Sequence, residues 1–461
     1  MKQDIDVFDI GIIGKMDATE IAERIKNKDF TAEEVLLSVK ERAEKSAKEL
    51  NAIVASNYIN HKASTEGIFA GVPIFIKDQV NVEGFSTRMG SSAIPKNIQK
   101  KSDKVVRQIQ TTGCTIVGKS ATSEFGLLPS CETLVNGDTQ NPHKIGYSTG
   151  GSSGGSGALV AAGVVPVAHT MDGGGSTRIP ASNCGLIGLK PSRARHIQSP
   201  TEKLPIDIVT NGIVSRSVRD TANYYHAIEQ YADNPSLPKI GLVTSPNKKR
   251  LKIGVFTQSP VGIEAHVDVK NIVHSTAKTC EGLGHHVEYF KNPYSDDVLL
   301  DFLTYYSMLA RGNNTFGKFT YGSKFKAKNT ERFTRELASY FSKFMFLAPG
   351  AIKRLKNQLA TEYDNLTAKY DVILSPTLAS PVPKIGYFGT DTPIISAIMR
   401  LNTYVSYTIV QNTTGAPAIS LPMGRCSNGL PIGPQFATKI GDEKTLLELA
   451  FELEEANAFT L

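Results

Sequence analysis

Residues 150–191 read GGSSGGSGALVAAGVVPVAHTMDGGGSTRIPASNCGLIGLKP, two Gly/Ser clusters separated by an apolar stretch. No other segment limits the fold so strongly. A flexible linker can also be rich in Gly and Ser. The intervening Ala158-Leu159-Val160-Ala161-Ala162 and Val164-Val165-Pro166-Val167-Ala168, and Leu186-Ile187-Gly188-Leu189 beyond, are core material instead. Each cluster therefore places serines on backbone free of side-chain bulk, where hydroxyls and main-chain N–H groups can approach a reacting carbonyl closely.

Ser152 stands in the first cluster and Ser176 in the second. There is no GxSxG turn, and the nearest histidine, His169, has no third partner at an informative spacing, so it reads as a core residue rather than a base. A base has to come from elsewhere. Upstream, Ala70 to Asp78 (AGVPIFIKD) reads as a short buried strand carrying Lys77 at its end. Desolvation lowers a lysine pKa, which leaves the neutral amine that a serine–lysine hydrolase needs. The competing reading is a charged structural lysine paired with Asp78 or Asp172.

These segments, with EFG at 124–126, NP at 141–142, GIVSRSVRDTA at 212–222, DVILSPT at 371–377, TGAPAISLP and NGLPIGPQF, resemble the amidase signature family. The resemblance spans nearly the whole chain apart from a variable stretch at about 230–365, with its signature core at about 66–225. It implies a mixed central β-sheet covered on both sides by α-helices. It also implies a Ser–cis-Ser–Lys triad with Ser176 as nucleophile, Ser152 after a cis Gly151-Ser152 peptide as bridge, and Lys77 as base. The main-chain N–H groups of Gly173, Gly174, Gly175 and Ser176 would form the oxyanion hole, where one donor is worth about 3–4 kcal/mol of barrier. Ser153, Asp172 and Arg178 stand as supporting residues or as ordinary structural groups. In this family the pocket wall comes partly from the segment after EFG, here Gly126 to Cys131, which makes Ser130 and Cys131 candidate wall residues.

One rival motif needs weighing. Gly113-Cys114-Thr115-Ile116-Val117-Gly118-Lys119-Ser120 fits the phosphate-loop pattern GxxxxGK[ST] letter for letter. A phosphate loop follows a strand and opens a helix, whereas Asp103 to Thr112 reads as helix here and the β-branched Thr115-Ile116-Val117 fills the supposed loop. The two glycines bracket a strand, and nucleotide binding is not expected. Neither HExxH nor a paired cysteine motif occurs, so no metal and no cofactor is expected.

Strand-like Lys252 to Phe256 followed by helix-like Ala265 to Leu283 argues an α/β fold, and Asp17 to Leu50 reads as two amphipathic helices capped by Asp17 and Thr31. No linker divides the 461 residues, so residues 1–461 read as a single domain. A net charge of +7 is mild at this length. Basic residues from Lys318 to Arg335 interleave with aromatics, but no recognition motif accompanies them, and a solvated face is expected rather than a nucleic-acid surface. Five cysteines without metal spacing and an N-terminus without an apolar leader point to a cytoplasmic protein that uses no membrane. The expected partners are a small-molecule amide and, at most, a second copy of the chain in a homodimer.

Three readings follow: a freestanding amide hydrolase, the glutaminase subunit of a tRNA-dependent amidotransferase, or a scaffold that has lost catalysis. Intact Lys77, Ser152 and Ser176 argue against the last. Val165-Pro166-Val167-Ala168-His169 with Asp172-Gly173-Gly174-Gly175 resembles the branch containing 6-aminohexanoate cyclic-dimer hydrolases, which favours hydrolysis. Thr170, Met171 and Thr177 depart from that family's usual residues and leave the pocket shape open.

Overall fold

The computed structural model describes residues 4–58, 64, 66–197, 199–232, 234–456 and 459. An eleven-stranded sheet runs, in spatial order, Ile53–Ser56, Thr115–Ser120, Pro73–Lys77, Val167–Asp172, Thr210–Ser215, Ile187–Lys190, Ala418–Ser420, Gln435–Ala437, Val372–Ser375, Lys252–Val255 and His286–Tyr289. Thr115–Ser120, Pro73–Lys77 and Val167–Asp172 are mutually parallel, and so are the last three strands. Every other pairing is antiparallel. The sheet is thus mixed, as the resemblance implies.

Burial explains why helices surround it. Each residue of Pro73–Lys77, Val167–Asp172 and Thr210–Ser215 is buried, so both faces of the central strands are covered. The N-terminal helices Ala18–Lys26 and Ala32–Leu50 begin where the sequence places their caps. Asp17 accepts from the Glu20 N–H at 2.9 Å, and Thr31 and Glu34 form a reciprocal capping box.

The phosphate-loop lookalike is strand Thr115–Ser120, buried throughout. Its Lys119 Nζ donates to Asp78 Oδ1 at 3.0 Å, Val80 O at 2.8 Å and Thr87 Oγ1 at 3.1 Å, a closed structural contact. In the basic aromatic stretch, Phe325 is buried and Tyr321 packs against both Phe125 and Phe325, so part of that pattern is core.

Strands Pro73–Lys77 and Val167–Asp172 run parallel side by side, with Phe75 opposite Ala168. Lys77 and Asp172 therefore leave the sheet at the same edge. Each Gly/Ser cluster turns into a short buried helix, Gly154–Ala161 after the first and Arg178–Cys184 after the second. These helices approach so closely that a Cβ added at Gly157 would stand 3.1 Å from Pro180 Cβ.

Candidate active site

Lys77 is fully buried at the end of its strand. Its Nζ donates to Ser152 Oγ at 2.7 Å and to Met171 O at 3.3 Å. Burial pushes the ammonium down to about 7, against the weaker pull of Cys131 and Asp172 in the other direction. Neither acid proposed as a salt-bridge partner is available, because Asp78 pairs with Lys119 and Asp172 with Arg178. The lysine faces a hydroxyl and a carbonyl, surroundings that suit an amine.

The Gly151-Ser152 peptide is cis. Ser152 is buried behind the turn that follows Glu124, where a Cβ on Gly126 would come within 3.1 Å of its Oγ. Ser153 bonds both the N–H and the carbonyl of Met171 at 3.3 Å, which ties the first cluster to the strand leading into the second.

Asp172 organises the second cluster. Its carboxylate accepts from the N–H groups of Gly175 at 2.7 Å and Thr177 at 3.1 Å, while Arg178 donates to both oxygens at 3.0 Å. Burial alone would raise this carboxyl, but the Arg178 guanidinium, with Lys190 and Asn412, holds it well below the usual range. Arg178 is itself held by Gln411, Asn412 and Gln435 side chains and the Thr408 carbonyl, residues from 230 positions onward that no local pattern connects to it. Gln435 at least lies within the NGLPIGPQF segment that carries the resemblance.

The Gly175 N–H is thus committed to Asp172, which removes one of the four donors expected for an oxyanion hole. Gly175 has φ +119°, and any Cβ there would meet Thr408 Oγ1 at 2.5 Å. Thr408 in turn donates to the Gly174 carbonyl at 2.6 Å, which fixes the turn from outside.

Ser176 lies at the junction of two spaces. A cleft of about 980 Å³ is lined by Ser152, Met171, Gly173 and Ser176. A smaller chamber of about 70 Å³ is lined by Gly151, Gly174 and Ser176 together with Asn402 and otherwise apolar side chains. The segment after EFG lines these spaces through Gly126 to Pro129. Ser130 and Cys131, expected as wall residues, lie one layer behind. Both are buried, and Cys131 Sγ is spent on the Gly154 N–H and the Ser152 carbonyl, each at 3.1 Å. Thr170 and Thr177 bond each other at 2.7 Å out of solvent, so of the three departures only Met171 reaches the cleft.

His169 is a core residue, as its setting on an apolar strand suggests. Its Nδ1 accepts the Lys77 main-chain N–H at 3.3 Å, its Nε2 faces Asn211 Oδ1 at 3.1 Å, and burial drives its pKa down to about 3. Glu124 is marked in the sequence by no pattern other than the EFG triplet it begins. It accepts from Ser91 Oγ at 2.5 Å, the Glu331 N–H at 2.8 Å and Thr334 Oγ1 at 2.5 Å, joining the site turn to the variable region.

Among the described residues there is no group of three or more His, Cys, Asp or Glu able to hold a metal ion, and no helix is long and apolar enough to cross a membrane.

The Amidase family matches residues 18–447, and the chain belongs to it. A putative amidase AmiC of Mycobacterium leprae is 40% identical over 98% of both chains. The 6-aminohexanoate-cyclic-dimer hydrolase of Pseudomonas sp. NK87 is 31% identical over 95% of this chain and 94% of its own. A solved 6-aminohexanoate cyclic dimer hydrolase in complex with substrate superposes with a TM-score of 0.88 at 27% identity, covering 97% of this chain and 98% of the other. The chain is accordingly a hydrolase acting on amides.

Proposed function

We propose that the chain cleaves amides through an acyl-enzyme formed on Ser176, with Ser152 as bridge and Lys77 as base. The observation that carries this reading is the 2.7 Å contact between a buried Lys77 Nζ and Ser152 Oγ, in a site where both neighbouring acids are already paired. Ser176 Oγ attacks the carbonyl carbon, its proton passes to Ser152, and the Ser152 proton passes to Lys77. The N–H groups of Gly173, Gly174 and Ser176 stabilise the developing oxyanion. The relay then runs backward, the leaving nitrogen takes a proton as the C–N bond breaks, and water attacks the ester to release the carboxylate. Asp172, Arg178 and Ser153 hold this geometry without touching the substrate.

A freestanding hydrolase fits the mainly apolar, uncharged lining beside Ser176 better than a glutaminase, because the acyl half of glutamine carries an ammonium and a carboxylate. A cytoplasmic location belongs to the same reading and draws support from Cys114, Cys131, Cys184, Cys280 and Cys426, all buried and unpaired. The test is covalent labelling. A fluorophosphonate should leave its adduct on Ser176 by peptide mass spectrometry. Labelling only at Ser152 or Ser153 overturns the roles, and glutamine turnover that requires an added partner protein overturns the freestanding hydrolase.

A further inference from the structure

The two spaces that meet at Ser176 differ in chemistry. The chamber is walled on one side by Leu299, Phe302, Leu303 and Tyr306, the i, i+3, i+4 and i+7 positions of helix Val298–Tyr321. On the other side stand Leu401 and Val405 at the end of helix Ile394–Tyr404 and Ile409 at the start of the next, with Asn402 as the one polar side chain besides Ser176 and Tyr306. No charged side chain reaches its wall. The cleft is more than ten times larger and mixes polar Gln79, Asn81, Gln99 and Asn313 and the charged Arg311 with apolar side chains.

Tyr306, Gly126, Leu127 and Ser176 border both spaces. The Tyr306 hydroxyl donates to the Gly126 carbonyl at 2.9 Å, and its ring stacks on Phe302 at 5.5 Å. The ring is therefore a partition held at both ends. A chamber of about 70 Å³ is smaller than the roughly 150 Å³ apolar cavity that admits benzene, so it suits a chain of a few carbons.

The relay decides which half of an amide goes where. Ser152 borders the cleft and not the chamber. The leaving nitrogen must receive its proton from that side, since a general acid acts only within hydrogen-bond reach. We infer that the chamber is an acyl pocket closed by Tyr306, so that the substrates are amides of short, uncharged, apolar acids whose larger amine portion lies in the cleft. This rests on the acyl-enzyme reading above.

Two isomeric amides separate the orientations, N-octylpropanamide with a short acyl group and N-propyloctanamide with a long one. Purified enzyme is assayed on both by chromatographic release of amine, and the same preparation is labelled with a fluorophosphonate. N-Octylpropanamide should show the higher kcat/KM by at least about tenfold, the scale on which a closed apolar pocket discriminates size. Tyr306→Ala should raise kcat/KM for N-propyloctanamide and narrow that ratio. Tyr306→Phe, which keeps the ring and is the safer variant to fold, should narrow it less. An equal or reversed preference in the parent enzyme overturns the inference, and so does turnover of neither amide by enzyme that labels at Ser176. Absence of label at Ser176 overturns the nucleophile itself and the acyl pocket with it.

Discussion

Arg178 and Asp172 meet as fork on fork, Nε to Oδ2 and Nη2 to Oδ1, each at 3.0 Å and both side chains out of solvent. The acid holds the glycine turn and the cation holds the acid, so neither can be removed alone. Asp172→Asn and Arg178→Met should each lower the unfolding free energy by about 3–5 kcal/mol, the usual consequence of leaving a buried charge unpaired. Urea unfolding measures this. A loss under about 1 kcal/mol would mean the turn holds itself.

On the proposed mechanism Lys77 sets the pH behaviour. Its base form prevails above about pH 7, so the acylation rate should fall roughly tenfold for each unit of pH below that value. Stopped-flow measurement with an activated amide gives the profile, and a rate unchanged down to pH 5 contradicts the role. The stability effect has a definite sign. An unfolded lysine keeps its proton to about 10.5, so between about pH 7 and that value the unfolded state binds more protons and stability rises with pH. Lys190, pushed to about 7 mainly by burial, contributes in the same window. Lys77→Met should therefore remove part of the rise and not all of it.

The two serines should separate kinetically. Ser176→Ala leaves no nucleophile, and single-turnover acylation should vanish. Ser152→Ala keeps the nucleophile but breaks the proton path, which should slow acylation by about 10²–10⁴-fold. Equal residual rates in the two variants would argue that both hydroxyls serve one structural purpose.

Gly175 has no room for a side chain. At φ +119° and with Thr408 Oγ1 2.5 Å from any Cβ, Gly175→Ala should destabilise the fold by about 1–3 kcal/mol, a cost typical of a residue forced into a sparsely populated conformation. Gly174→Ala, whose Cβ would find its nearest neighbour at 3.6 Å in Phe302, should melt close to the parent. Thermal unfolding of both variants makes the comparison. A Gly175→Ala protein as stable as Gly174→Ala would show that the turn can move.

Sequence carries information about what neighbouring residues do together, and the site divides along that line. Lys77 at the end of an apolar run, the two Gly/Ser clusters and the strand hidden inside the phosphate-loop pattern were all legible because each is a local contrast of bulk or polarity. The string GGGS offers four equivalent N–H groups, and nothing in it says that Gly175 turns its own toward Asp172. Ser130 and Cys131 lie one layer behind the wall that the sequence suggests, because a string that runs from wall to core looks uniform until its turn is seen. Gln411, Asn412 and Tyr306 stayed out of reach for a different reason. They arrive from more than a hundred residues downstream, Gln411 and Asn412 on the short, wholly buried helix Ile409–Thr414 and Tyr306 on helix Val298–Tyr321, where the residue pattern speaks only of burial.

The contact between the Lys77 main-chain N–H and His169 Nδ1 sets a limit on how the enzyme can respond to acid. With Nδ1 accepting and Nε2 turned to the Asn211 amide oxygen, the ring is locked as the neutral tautomer carrying its proton on Nε2. To take up a second proton it would have to break its bond to the strand that carries the base. The His169 ring is therefore silent through the range in which Lys77 titrates, and a loss of acylation near neutrality is no response of this histidine.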